Sequence, residues 1–343
     1  MKSKYLLLVG KWVLAIGLLV IVIRGGNLSF EPVKDFLKNP VALVGVFLVV
    51  LIAASMSFLR WTWILRGMGL TMDFPTAFRL GMMGQFFSIV TPGVVGGDLA
   101  KGVYLARRYP SKKARALTSL LIDRVSGLMG LILLGSIAFI VVGRGQLESL
   151  TPGPDRSLAL SLGWIVFVGG LVTLTLLSLL PAMSKRFSKA PPKILDKLPL
   201  RKFWLRLYGF VGDLGSGYTY LWYSVAFAML GHVIVLMGVY WIAQVVFGSG
   251  PWGNIDVSAF VLANVLGMCA LALPLTPMGL GVGQIAYSSL FWIMGAPSKE
   301  FGGALITNLQ LIQVLVGIVG IYFFATYKAK VAGSAQHDVS ASI

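Results

Sequence analysis

The chain of 343 residues has little of what soluble chemistry uses: charged residues make up 12% of it, with twelve acids, two histidines and one cysteine. Cys269 alone excludes an intrachain disulfide and a cysteine-based metal site. His232 and His337 lie far apart, and His337 belongs to a polar tail. No Walker A motif is present, so no ATP site of that kind is expected. HExxH, GxSxG and a DxD-type acid pair are also missing. No metal and no cofactor are expected, and an enzyme would have to work with Asp98, Asp123 and neutral residues.

What fills the chain is apolar: 57% of the residues are hydrophobic. Crossing a hydrocarbon core of about 30 Å takes about 20 apolar residues in a helix, and several runs reach that length. They are continuous rather than alternating, which argues against a membrane β-barrel. The expected fold class is therefore all-α, a polytopic membrane protein forming one transmembrane domain over residues 1–330, with a polar tail at 331–343. The formal charge of +17 comes from 29 bases against the twelve acids. In a soluble protein it would suggest nucleic acid. Here the bases cluster in short loops, as the positive-inside rule requires, and no nucleic-acid partner is expected. The run 5–23 is interrupted by Lys11 and followed by Arg24-Gly25-Gly26 rather than a cleavage site, so it reads as a retained first helix.

Six spans are predicted, at 5–23, 40–59, 115–142, 158–180, 222–247 and 302–326. Two further apolar regions, 76–108 and 258–294, are broken by Thr-Pro and glycines. Loop charge sets the orientation. Lys2 and Lys4, then Arg60, Arg66 and Arg79, then Lys101 to Arg115, then the basic segment 185–206, belong inside. That segment has eight bases against one acid and reads as an interfacial stretch preferring anionic lipid, or as a solvated loop. Both termini are expected to be cytoplasmic, in the inner (plasma) membrane. The parity then requires region 76–108 to return to the inside and region 258–294 to the outside. A re-entrant hairpin is expected for the first; the second, with two nearly full-length arms, is left open.

The two broken regions match each other. Thr91-Pro92-Gly93-Val94-Val95-Gly96 aligns with Thr276-Pro277-Met278-Gly279-Leu280-Gly281, and each is flanked by one full span on either side. This predicts an inverted repeat of about 40–142 and 222–326, a transporter design in which interrupted segments point to the binding site. Irregular backbone at membrane depth survives only when buried in protein or lining a wet cavity. Gly93, Gly96 and Gly97 permit left-handed or close-approach backbone. A helix is expected to begin at Asp98, whose side chain either caps helix 98–108 or serves a site, and free N–H groups there favour phosphate.

Asp123 lies inside an otherwise apolar span, where an ionised group is costly and usually functional. Arg124 follows it about 100° around the helix, so each is expected to find a partner elsewhere, Asp98 or Lys101 of the adjacent hairpin. This reads as a buried ion network pinning the hairpin, or as a polar site for a charged head group. Gln85, Gln244, Asn264, Gln284, Asn308, Gln310 and Gln313 are read mainly as interhelical hydrogen-bonders, with Gln284 the best candidate for a site. His232 reads as a packing residue, with a proton relay as the alternative.

The stretches TPGVVGGDLAKGVYLAR, LTSLLIDRVSGLMGLILL and PLTPMGLGVGQIAYSSLF resemble the flippase-like family, also called the lysylphosphatidylglycerol synthase transmembrane-region family, over roughly residues 10–327. The resemblance implies a membrane domain linked to moving lipids between leaflets. In some members it is fused to a cytosolic aminoacyl-transfer domain, for which the 16 residues after 327 leave no room. Two departures stand out. Lys101 stands where members usually have arginine, which keeps charge but loses bidentate geometry. Gly283-Gln284 stands where Arg-Glu or Gly-Glu is common, which removes a carboxylate.

The expectation is a lipid translocator for an anionic phospholipid or a polyprenyl-phosphate-linked lipid. Lys101 and Arg124 would hold phosphate, Gly96 and Gly97 would add N–H donors, and Asp98, Asp123 and Gln284 would complete the site. The alternatives are an integral-membrane enzyme or accessory subunit of a lipid-modifying pathway, and a structural partner of a separate synthase. A homo-oligomer is also compatible with the sequence.

Overall fold

The computed structural model describes residues 13, 16–18, 20, 31–90, 95–150, 155–187, 217–248, 257–272 and 275–340. Most of the first predicted span lies outside them, as do Thr91, Pro92, Gly93 and residues 188–206. Among the described residues the backbone is helical, with no strand. Ten α-helices carry the argument: α1 Glu31–Leu37, α2 Pro40–Gly67, α3 Phe74–Val90, α4 Val95–Arg108, α5 Lys113–Leu150, α6 Asp155–Phe187, α7 Tyr218–Phe247, α8 Val257–Leu271, α9 Val282–Ile293 and α10 Glu300–Ser340.

Five stretches are long and apolar enough to cross a membrane: Pro40–Gly67, Pro110–Val141, Ser157–Leu179, Tyr218–Phe247 and Glu300–Thr326. They coincide with five of the six predicted spans. The largest departure is at α2, predicted to stop at 59 because Arg60 follows. Instead the helix runs on to Gly67. Trp61, Trp63, Ile64 and Leu65 continue the apolar run, and Arg60 is neutralised within the protein, so its charge does not force the chain out. Local signals fix both ends. Asn39 caps the start by accepting from the Ala42 N–H at 3.0 Å. Gly69, at φ +69°, turns the chain after Met68, and the Leu70 N–H returns to the Leu65 carbonyl at 2.9 Å.

α3 and α4 form the first broken region, and α8 and α9 the second. The four arms have 17, 14, 15 and 12 residues. α4 begins at Val95, not at Asp98 as predicted; Gly96 and Gly97 are drawn into its first turn.

Packing is crossed between the two units. α2 lies along α7 at the centre. α3, from the first unit, packs mainly on α10 of the second, and α8, from the second, packs on α5 of the first. Exchanging the units leaves most of this neighbour pattern unchanged; the departure is α2 with α3, which touch where α7 and α8 barely do. Lipid tails are as apolar as leucine, so close packing and polar ties, rather than escape from water, hold such helices together.

Candidate functional site

The C-terminal part of α3 and the turn of the second broken region line one cavity of about 410 Å³. α3 supplies Gln85 and Ser88, and the second region supplies Leu271 and Met278. α2 adds Ser57 and Arg60, α7 adds Gly231 and His232, and α10 adds Gln313. The wall is thus apolar helix with a few inward polar groups, the composition of a ligand pocket.

Arg60 is the charged residue of this wall, 7% exposed. Its Nε donates to Asp123 Oδ1 at 3.0 Å, and its Nη2 donates to the same oxygen at 2.8 Å and to the Asp123 carbonyl at 3.0 Å. α5 thereby presents both its carboxylate and a main-chain oxygen to α2. No hydrogen bond leaves Nη1 among the described residues. This nitrogen lies beside Gly127 on the cavity wall, where a Cβ would come within 3.1 Å of it. At the same glycine, His232 Nε2 lies 3.1 Å from the Gly127 carbonyl oxygen. A carbonyl only accepts, so Nε2 carries the proton and Nδ1 is left as an acceptor.

Arg124, one residue on, turns to α4 and donates through Nε to Asp98 Oδ2. Asp98 is therefore an ion-pair partner rather than a simple helix cap. This pair is wetter than the first: the side chains are 38% and 25% exposed for Arg124 and Asp98, against 9% and 15% for Arg60 and Asp123. Lys101, one turn beyond Asp98, places its ammonium 5.3 Å from the Trp61 ring and 5.7 Å from the Phe58 ring. No carboxylate pairs with it among the described residues, and cation–π attraction takes that place. Trp61 is fixed in turn by donating from Nε1 to Ser119 Oγ at 3.2 Å. Three cations and two carboxylates thus meet where α2, α4 and α5 join.

Gly97 makes the first hairpin possible. A Cβ there would stand 2.4 Å from the Gly84 carbonyl oxygen and 2.7 Å from Ser88 Oγ. Gly96 is buried beside it. Both are helical, so close approach rather than left-handed backbone accounts for Gly97.

The second break is built differently. Thr276 is extended, Pro277–Gly279 forms a 3₁₀ turn, and Gly279 and Gly281 take φ +74° and +80°. Gln284 ties this turn to α10. Its Oε1 accepts from the Gly281 N–H at 2.7 Å; its Nε2 donates to Gln310 Oε1 at 2.7 Å and to Thr307 Oγ1 at 3.1 Å. Gln310 Nε2 returns to the Met278 carbonyl at 3.1 Å. Gln284 is 1% exposed and does not line the cavity. Thr276 Oγ1 is buried without a partner among the described residues.

The structure therefore brings Asp98 to Arg124, as the sequence anticipates, but gives Asp123 to Arg60. It places Lys101 among aromatic rings and Gln284 in a structural tie. Arg60, Ser57 and Ser88 are polar residues of the cavity that sequence reading missed. The available signal was the apolar run continuing through Trp61 to Leu65, which marks Arg60 as an intramembrane charge. No group of three or more His, Cys, Asp or Glu able to hold a metal occurs among the described residues.

Long apolar helices and two short broken pairs define a polytopic membrane protein, and the family it matches points to lipid metabolism or transport. The chain belongs to the family described as the lysylphosphatidylglycerol synthase TM region, which matches residues 6–320. Comparison with curated proteins and with solved structures finds no match.

Proposed function

We propose that the protein is a lipid translocator, of flippase or scramblase type, that carries a phosphate-bearing head group through the membrane between its two hairpins. The observation that carries this reading is the position of Arg60 on a cavity lined by residues of both broken regions. An ionisable group at membrane depth that faces a cavity marks a substrate path. The family's link to lipid supports the reading. A purely structural partner would be packed shut at this point, and a cavity is found instead.

In this reading α3–α4 and α8–α9 are re-entrant hairpins of opposite orientation in an inverted repeat with six full spans. Arm length supports it: at about 1.5 Å per residue, even a 17-residue arm rises about 26 Å, short of a hydrocarbon core of about 30 Å. Crossed packing of the units supports it too. Asp98, Lys101 and Arg124 form a shallower polar station, and Arg60 with Asp123 a deeper one. The termini are cytoplasmic in the inner membrane. Flow runs downhill, or with an ion gradient or the membrane potential, where one charge is worth about 2.3 kcal/mol per 100 mV.

The test is exchange in liposomes. A tail-labelled phospholipid is placed in both leaflets and bleached by an impermeant reagent. Wild type is expected to expose nearly all the label, and Arg60→Ala and Arg124→Ala to stop near half. Wild type stopping near half for phospholipid and polyprenyl phosphate alike would end the translocator reading.

A further inference from the structure

α9 carries Ile285, Ser288, Ser289 and Trp292 at spacings i, i+3, i+4 and i+7, which sets them on one face of the helix. The opposite face is core: Gln284 ties to α10, and Tyr287 and Phe291 pack on α8. The first face is not closed over. Ile285 is 38% and Trp292 42% exposed. Leu158, near the start of α6, stands opposite, and Lys299, in the turn between α9 and α10, closes the end; together they line a recess of about 490 Å³. It shares no residue with the cavity at Arg60.

The recess is amphipathic. Leu158, Ile285 and Trp292 form an apolar wall. Ser288, 4% exposed, and Ser289, exposed, put two hydroxyls on it. At its end is a cation with no acid to balance it. Lys299 is exposed, and its ammonium lies 5.6 Å from the Trp292 ring. Among the described residues no carboxylate pairs with it, and Glu300, its neighbour in the chain, does not. Contact with a ring takes one side of an ammonium that has three N–H donors.

Lysine and tryptophan together mark a membrane–water interface. As simple anchors they would need no recess and no hydroxyls beside them. Cation, hydroxyls and apolar wall in that order match a phosphate, its glycerol ester and an acyl chain.

We propose that this recess holds one anionic glycerophospholipid of the leaflet at the edge where α9 ends and α10 begins. Lys299 takes the phosphate, Ser289 donates to an ester oxygen, and the chain lies along Ile285 and Leu158. The lipid fills the space between α6 and α9, which touch at few points, and so braces the second hairpin. A surplus of one cation favours a singly anionic head group over a zwitterionic one. The site is separate from the translocation path and does not depend on it.

The test uses the full chain in detergent, with phosphatidylglycerol, phosphatidylethanolamine and glycerol 3-phosphate as probes. Native mass spectrometry counts retained lipid, and thermal unfolding reads its effect. Phosphatidylglycerol is expected to be retained and to raise the melting temperature. Lys299→Ala should weaken that retention about tenfold or more, the effect of losing one hydrogen bond to a charged group. Lys299→Arg should keep it. Ser289→Leu, on the exposed face, should weaken it without unfolding the chain. Equal retention of phosphatidylethanolamine, or retention unchanged in Lys299→Ala, would overturn the proposal. So would loss in Lys101→Ala but not in Lys299→Ala, which would put the lipid at the α2–α4–α5 junction. An equal rise in melting temperature with glycerol 3-phosphate would make the recess an anion site rather than a lipid site. None of these outcomes bears on exchange through the Arg60 cavity, so the translocator reading stands or falls on its own assay.

Discussion

Arg60 on α2 and Asp123 on α5 are joined by three hydrogen bonds, two to one carboxylate oxygen and one to the main-chain carbonyl of the same residue. The next residue, Arg124, bonds to a different helix altogether. One turn of α5 therefore holds both α2 and the first hairpin.

Removing one member of the Arg60–Asp123 pair leaves a buried charge without its partner. Arg60→Ala or Asp123→Ala should lower stability by about 3–5 kcal/mol. The double variant Arg60→Met with Asp123→Leu should recover most of that and still exchange no lipid. Thermal unfolding in detergent, set beside the liposome assay, separates the two effects. If the double variant moves lipid like wild type, the pair is structural only.

The Asp98–Arg124 pair is partly exposed and should contribute little to stability, under about 1 kcal/mol. Asp98→Asn should melt within a few degrees of wild type yet slow lipid exchange severalfold. A large fall in melting temperature with unchanged exchange per folded molecule would make the pair a clamp.

Gly97→Ala should force the hairpin arms apart, since the new methyl would meet the Gly84 carbonyl 2.4 Å away. A loss of about 1–3 kcal/mol is expected for such overpacking. Gly102→Ala on the same helix, facing the flexible Leu117 side chain at 3.1 Å, should be milder. Melting curves of the two variants give the comparison.

Gln284→Leu should unfasten the second break, leaving the Gly281 N–H and Gln310 Oε1 without partners, at about 1–3 kcal/mol for each group left buried and unpaired. Faster hydrogen exchange at Gly281 would report it. Gln284→Glu keeps the acceptor for Gly281 but buries a carboxylate with no cation beside it, against Gln310 Oε1, so it should cost at least as much as Gln284→Leu.

Much of the fold was legible because spans are written in apolar length, which needs no knowledge of neighbours. Five spans come from that property alone, and the broken regions from Thr-Pro and glycines interrupting it. Arg60 was misplaced for the same reason. Hydropathy treats an arginine as an exit, and only a partner 63 positions away makes it an interior residue. Asp123 could be flagged as costly, but its mate sat on a helix end assigned to the loop. Arg124 with Asp98 was foreseeable because Asp98 stood beside a glycine break in a charge-poor chain. Lys101 escaped because nothing in its own neighbourhood shows that Phe58 and Trp61 fold over it. Gln284 drew attention for its place after the glycines, and that place explains its tie to Gly281.

Each hairpin leans on the last span of the other unit: α3 on α10, and α8 on α5. Neither half of the chain has a complete interior of its own. A polypeptide carrying one unit would lack the wall its hairpin rests against, and a second copy would supply it.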